Sequence, residues 1–316
     1  MKKIVVIGGG TGVFTVLTGL KDYPFNLTAI VTTADDGGSS GILREEFGIL
    51  PPGDIRRVLV ALSSDSTVLA NLFNYRFENG TGLKGHSFGN LFLTALERIT
   101  GDFNQAVKEA SKILGIKGTV IPVTLDYTRL FARLENDFLV VGESNIDVPK
   151  HDGTLFIKEI FLNPEPKANK EAIKAIKEAD IIIIGPGDLY TSIIPNFLVK
   201  GIKEAVKKSQ AKKVYICNIM TKFGETNNFM AHNFVEKIEE HLGDENILHV
   251  VIVNKKRPSS SRLKKYFAEN AKFVEFLPDK FEKKQFEIVL EDLGRDRGFI
   301  RHDSDKLALA LSKIMK

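Results

Sequence analysis

Two stretches of this chain gather residues that a packed interior would not select. The first, IVVIGGGTG, ends a β-branched run in Gly8-Gly9-Gly10-Thr11-Gly12. Glycine lets a backbone turn tightly and come close to a ligand. The segment that follows reads as a helix, whose first N–H groups and positive dipole end would face an anion. Gly9, Gly10, Thr11 and Gly12 are therefore candidate phosphate contacts, the plainer alternative being a tight strand-to-helix turn without a ligand. The spacing is not the G-x-G-x-x-G of dinucleotide enzymes, because Val13 stands where the third glycine belongs, and no Gly-Lys-Ser/Thr follows to make a P-loop. A nicotinamide-dependent dehydrogenase is disfavoured on that ground. The second stretch, TTADDGGSSGILREEFGILPPGD, follows the next strand-like run. Asp35 and Asp36, with Ser39 and Ser40 close by, offer hard oxygen ligands for Mg²⁺ or a base for an acceptor hydroxyl. A single carboxylate there could instead hold a ribose, and an acidic solvent loop would have the same composition.

Three further clusters carry polar chemistry. In GHSFGNLFLTALERI, His86 and Asn90 lie four apart and would share a face if the helix has already begun. A histidine ahead of an apolar helix is more often a cap or a satisfied polar group than a catalyst. In IIIIGPGDLYTSIIPNFL, a buried strand gives way to Gly185-Pro186-Gly187 and then to Asp188, Tyr190, Thr191 and Ser192. In YICNIMTKFGET, Asn218, Thr221 and Glu225 follow another such strand. Polar crossings repeated at one edge of a sheet are hard to attribute to packing.

The elements needed to position these groups follow from periodicity. Residues 3–7, 27–33, 180–185, 213–219 and 247–253 are continuous apolar runs, as expected of strands covered on both faces of a parallel sheet. Helical patterns such as 196–208 and 227–242 separate them, which points to an α/β, doubly wound, mostly parallel architecture in one domain over 1–316. Residues 54–114 read as almost purely helical, and 118–162 as short strands forming a small antiparallel β subdomain inserted in that domain.

Bulk properties remove several functions. In 316 residues, 44 Lys+Arg face 40 Asp+Glu and no basic block stands alone, so nucleic acid is not an expected partner. The one cysteine, Cys217, cannot make a disulfide within the chain and reads as a small buried hydrophobe. IVVI is too short for a leader core and no run approaches a membrane span, so a cytoplasmic protein without membrane insertion is expected.

Taken together, GGGTG, DDGGSSGILREEFGILPPGDIRR, HSFGNL, GPGDLYTSIIPN, CNIMTKFGET and IRHD run in order through essentially the whole chain. They resemble the CofD-like superfamily and, within it, the gluconeogenesis factor (YvcK-type) branch. The resemblance implies a Rossmann-like fold and a regulator that binds UDP-sugars, chiefly UDP-N-acetylglucosamine. It implies support of growth on gluconeogenic carbon, of cell shape and of cell-wall synthesis, with partners among cell-wall proteins and a homo-oligomer as one arrangement. The sister branch, 2-phospho-L-lactate transferase, binds a nucleotide with Mg²⁺ and transfers phospholactate to a deazaflavin hydroxyl, so a Mg-dependent transferase of phospho groups is the alternative. By position, Gly9 to Gly12 would meet the diphosphate, and Asp35 and Asp36 would hold metal and acceptor, as catalytic residues only if the chain is an enzyme. Asn90, Gly187, Asp188, Tyr190, Asn218 and Thr221 would line the rest of the crevice, and Tyr266 and Arg301 fall where the regulator branch contacts the nucleotide-sugar. A guanidinium fork at Arg301 suits phosphate or sugar oxygens. MTKFGET departs from the family's usual Gln-Pro after the threonine, which leaves Lys222 and Phe223 without an assigned role.

Overall fold

The computed structural model describes residues 1–64 and 67–315. Ten strands are present among them: β1 Lys3–Gly8, β2 Asn26–Val31, β3 Thr119–Pro122, β4 Arg129–Leu134, β5 Leu139–Val141, β6 Ile157–Asn163, β7 Ile181–Ile184, β8 Lys212–Ile216, β9 Val250–Asn254 and β10 Glu287–Glu291. Seven of them form one sheet in the order β10-β9-β8-β7-β1-β2-β3, and every neighbouring pair is parallel. The chain winds outward from β1 through β2 to β3, returns to β7 beside β1, and winds the other way to β10. This is the Rossmann-like doubly wound order, and its reversal lies between β1 and β7, where open parallel sheets hold their ligands.

Register makes that reversal a usable site. Ile7 lies opposite Ile30 of β2 and opposite Ile184 of β7. The carboxyl ends of the three central strands are therefore level, and their following loops leave the sheet side by side. Alternation along each strand divides the core in two. Ile7, Ile30, Ile184 and Val251 pack beneath the helices Lys170–Glu178, Ile202–Lys208 and Ala231–Leu242 on one face. Val6, Ala29, Ile183 and Ile252 pack beneath Gly10–Leu20, Gly53–Leu62, Phe103–Leu114 and Ser304–Ile314 on the other. Each fully buried aliphatic side chain stabilises by roughly 1.5–3 kcal/mol relative to exposure, so the sheet is a rigid platform.

Three boundaries differ from the sequence reading, each for a physical reason. Within 118–162, β3 belongs to the main sheet: Val120 and Ile121 are buried in opposite cores, which requires cover on both faces. Only β4, β5 and β6 make the small antiparallel sheet, in the order β5-β4-β6, and β4 shows the expected half-wet alternation. The helical stretch 196–208 is broken into Ile194–Leu198 and Ile202–Lys208 by Gly201, whose φ of +100° no helix interior accepts. The tail supplies β10, an edge strand with half-exposed residues and so without a continuous apolar run. Among the described residues no helix is long and apolar enough to cross a membrane.

Candidate ligand-binding crevice

β1 ends in Gly8 and passes through Gly9, an extended N-cap without a capping side chain, into the helix Gly10–Leu20. The first turn of that helix thus keeps backbone donors for another group. β7 ends beside it and passes through Gly185-Pro186-Gly187 into a single wide turn, Leu189–Ile193, in which the Ile193 N–H reaches the Asp188 carbonyl at 3.1 Å. The two loops touch. A Cβ on Gly12 would collide with the Pro186 carbonyl, and one on Gly9 would fall 2.7 Å from Ser192 Oγ and 3.0 Å from Asp54 Oδ2. Glycine here is a condition of close approach between the loops flanking the switch point.

Asp54 is the first group the sequence reading did not single out. It opens the helix Gly53–Leu62 and faces the Gly10 backbone, whose N–H favours its ionised form. Arg57, one turn on, donates from Nη1 to Thr11 Oγ1 at 2.8 Å and lies 4.0 Å from Asp54 Oδ1. Asp35 is its neighbour, since a Cβ on Gly53 would sit 2.5 Å from Asp35 Oδ2. The Asp35 Oδ1 accepts the Gly37 N–H at 3.0 Å. Burial pushes the Asp54 carboxyl up to about 6, and the charge of Asp35 adds to the shift. Burial also raises Asp35, partly offset by the Gly37 N–H and the Ser40 hydroxyl.

The inserted subdomain contributes from above. Glu143, at the start of the short helix Glu143–Asp147, is pushed up to about 10 by burial and then by Asp35, Asp147, Asp54 and Asp36. Asp36 has a different partner from Asp35: its Oδ1 accepts the Ser144 N–H at 2.8 Å. A second acidic group adjoins. One oxygen each of Asp147, Asp188 and Glu225 lie within 4.8 Å of one another, with the Lys222 ammonium 2.9 Å from Asp147 Oδ1 and 3.9 Å from Asp188 Oδ2. Burial opposes the lysine's charge, yet Asp188 and Asp147 hold it above its ordinary value. Glu225 accepts the Tyr190 N–H at 2.9 Å and the Thr191 hydroxyl at 3.0 Å, and burial followed by Asp188 pushes it up to about 8.

These oxygens divide into two sets. Asp35 and Asp54 offer oxygen ligands of the kind Mg²⁺ takes, with Arg57 4.0 Å from Asp54 Oδ1; among the described residues the one trio whose ligand oxygens lie within 4.8 Å of one another is the second, Asp147, Asp188 and Glu225. Asp147, Asp188 and Glu225 already carry a cation in Lys222.

The remaining sequence-predicted residues are placed as follows. Asn90 is buried, accepting from Arg56 Nε at 3.0 Å and donating to Ser39 Oγ at 3.1 Å, and Ser39 also meets His86 Nδ1 at 3.1 Å. His86 precedes the helix, which begins after the Ser87 N-cap, so it meets Asn90 through Ser39 rather than along one helix face. This network holds the first turn of the helix Gly38–Phe47, directly after Asp35 and Asp36. Asn218 Oδ1 accepts the Gly187 N–H at 3.5 Å. The Tyr190 backbone is at the Glu225 carboxylate, while its ring lies against His241 on the side of the helix Ala231–Leu242, 6.5 Å between centroids. Thr221 is tied to the tail: its Oγ1 accepts the Lys272 N–H at 2.8 Å. The Tyr266 hydroxyl accepts the Ile300 N–H at 2.8 Å and so fixes the segment that presents Arg301. Arg301 is exposed, its guanidinium 5.3 Å from the Phe299 ring centroid, and its charge reaches Asp188.

The pattern of the CofD family, described as 2-phospho-L-lactate transferase CofD, matches residues 4–294. The chain belongs to the CofD family. A relative from Nostoc sp. named as a gluconeogenesis factor is 50% identical over 313 residues, covering 98% of this chain and 68% of its own length. The gluconeogenesis factor of Bacillus subtilis is 45% identical over 316 residues, covering 99% of this chain and 98% of its own. A crystal structure of a UPF0052 family protein from Bacillus halodurans superposes with a TM-score of 0.93 at 43% identity, covering 98% of each chain. These relatives put the chain in the gluconeogenesis factor branch of the CofD family.

Within this CofD-family fold, Asp54, Glu143, Asp147 and Lys222 are the crevice residues that motif reading left unassigned. The signal for Asp54 was its place in PPGD, a rigid turn directly before a helix. Glu143 and Asp147 had no local signal, because only the folding back of the insertion brings them to the sheet.

Proposed function

We propose that this protein is a regulator that binds a nucleotide-sugar of the UDP-N-acetylglucosamine type at the crevice between β1 and β7. The observation that carries the reading is the meeting of the Gly9–Gly12 turn with the Pro186–Ser192 turn at the topological switch point. Backbone donors of the first helical turn suit a diphosphate, and Arg301, whose charge acts on Asp188, would add a donor fork from the tail. The carboxylates beside the helix start would repel a bare diphosphate. Asp35 and Asp54 are the residues that would hold Mg²⁺, which would supply charge neutralisation. Kinship with gluconeogenesis factors supports a role in gluconeogenic growth; the motif resemblance extends the proposal to a cytoplasmic role in cell shape and cell-wall synthesis, exerted on cell-wall proteins, with a homo-oligomer as one form of the regulator.

Calorimetry with UDP-N-acetylglucosamine, with and without Mg²⁺, tests the proposal. Binding should appear, and Arg301→Ala should weaken it by about 10-fold or more, the scale of a lost charge-assisted hydrogen bond. No heat and no thermal shift at millimolar ligand in either condition would end the reading.

The Asp35–Asp54 pair favours one alternative, a Mg-dependent transferase. In that case an acceptor hydroxyl would attack a phosphorus of the diphosphate, its proton passing to a carboxylate and the nucleoside monophosphate leaving. A new phosphodiester product detected by mass spectrometry, and lost in Asp54→Asn, would select it. Turnover absent across a panel of hydroxyl acceptors, with binding intact, leaves the regulator.

A further inference from the structure

Asp35 and Asp36 are adjacent and share a loop, yet their side chains serve different surroundings. Asp35 faces Gly53, Ser40 and Asp54, within the crevice. Asp36 faces the inserted subdomain: its Oδ1 accepts the Ser144 N–H at 2.8 Å, and a Cβ on Gly142 would fall 2.5 Å from its Oδ2. Gly142 has φ +95°, so both its conformation and its clearance require glycine there. The far end of the same segment is also tied down. Lys222 Nζ lies 2.9 Å from Asp147, and Asn227 Nδ2 donates to the Gly153 carbonyl at 2.6 Å. A Cβ on Gly224 would sit 2.7 Å from Pro149 Cγ. Residues 142–153 are thus a strap, held by the loop after β2 at one end and by the loop after β8 at the other, and Glu143 lies on it between Gly142 and Ser144, where the charges of Asp35, Asp147 and Asp54 act on it.

We propose that Asp36 is a positioning residue, which acts through the Gly142–Ser144 turn to hold Glu143 over the Asp35–Asp54 pair and does not itself contact the ligand or a metal. Lys222 does the same work at the other end of the strap, through Asp147. The consequence for binding rests on the nucleotide-sugar reading above, whereas the anchoring of the strap does not.

The test compares Asp36→Ala, Asp36→Asn and Asp35→Asn in the full chain by two readouts. The first is amide hydrogen exchange of residues 144–148, which reports the strap. The second is the affinity for UDP-N-acetylglucosamine at fixed and varied Mg²⁺. Asp36→Ala should raise exchange at 144–148 by about 10-fold or more, the scale of losing a hydrogen bond to a charged acceptor, and should weaken binding. Asp36→Asn keeps an oxygen that accepts the Ser144 N–H, so it should return exchange to within about threefold of the native chain, and binding with it. Asp35→Asn should leave exchange at 144–148 unchanged while altering the Mg²⁺ dependence. A carboxylate that ligates metal would behave otherwise, with Asp36→Asn as damaging to binding as Asp36→Ala while exchange stays native, and that result overturns the proposal. Loosened exchange with native affinity in Asp36→Ala overturns it too. If the native chain binds no nucleotide-sugar, the functional reading falls while the exchange series still decides whether Asp36 anchors the strap.

Discussion

Gly12 lies against a carbonyl of the neighbouring loop, and its value to the fold can be measured directly. Adding one methyl places a Cβ inside the Pro186 carbonyl, and neither backbone can retreat without disturbing β1 or β7, which are both fully buried beyond their first residues. Gly12→Ala should therefore cost ~3 kcal/mol or more, at the upper end of overpacking penalties, read as a lowered urea midpoint with unchanged slope. A cost under about 0.5 kcal/mol would mean that the loops are not in contact. The sequence made Gly12 visible as part of GGGTG but gave it to a ligand, and the structure adds a second requirement from the protein itself. Asp54 shows the converse. Its chemistry was ordinary in the sequence, and only three-dimensional proximity to Gly10 and Asp35 makes it part of the site.

Elements divide into those whose sequence carries its own pattern and those defined by partners. β1, β7 and β9 are continuous apolar runs and were legible as parallel strands because both of their faces are covered. β10 and the helix break at Gly201 were not, since an edge strand needs only part of that cover and a single glycine in a helical pattern is ambiguous. The IRHD motif also separates at this scale. Arg301 is exposed at the rim, but His302 is buried and Asp303 is the N-cap of the helix Ser304–Ile314, its Oδ1 accepting the Asp305 and Lys306 N–H groups at 3.1 Å. That helix packs on Gly10–Leu20 through Gly19, where a Cβ would strike the Ser304 carbonyl. Asp303→Ala should destabilise by about 1 kcal/mol, the usual cost of losing such a cap, measured by urea unfolding. Ligand affinity should change little, because the cap acts on the helix and not on the crevice. A loss of affinity equal to that of Arg301→Ala would instead make Asp303 part of the site.

At the scale of the whole molecule, the crevice gathers carboxylates from segments far apart in the chain: Asp35 and Asp54 from the first winding, Glu143 and Asp147 from the insertion, Asp188 and Glu225 from the second. No linear reading could count them as one group, and their shared burial has a thermodynamic signature. Asp54 is pushed up to about 6, Glu225 to about 8 and Glu143 to about 10, against ordinary values of 3.8, 4.5 and 4.5. As pH rises from about 4, the unfolded chain releases these protons first, so over that range the folded state binds more of them. Stability then falls with rising pH, the slope being set by the difference in bound protons. The folded protein should accordingly lose melting temperature steadily from about pH 5 to pH 8, beyond what its surface ion pairs produce, and Glu225→Gln should flatten that slope by removing one of the three groups. Mg²⁺ should oppose the loss, raising the melting temperature more at pH 8 than at pH 5, because a cation held by Asp35 and Asp54 favours their ionised forms. A melting temperature that climbs from pH 5 to pH 8 in the absence of metal would mean that these carboxyls ionise as freely as they do in water, and the crowded acidic crevice described above would not exist in solution.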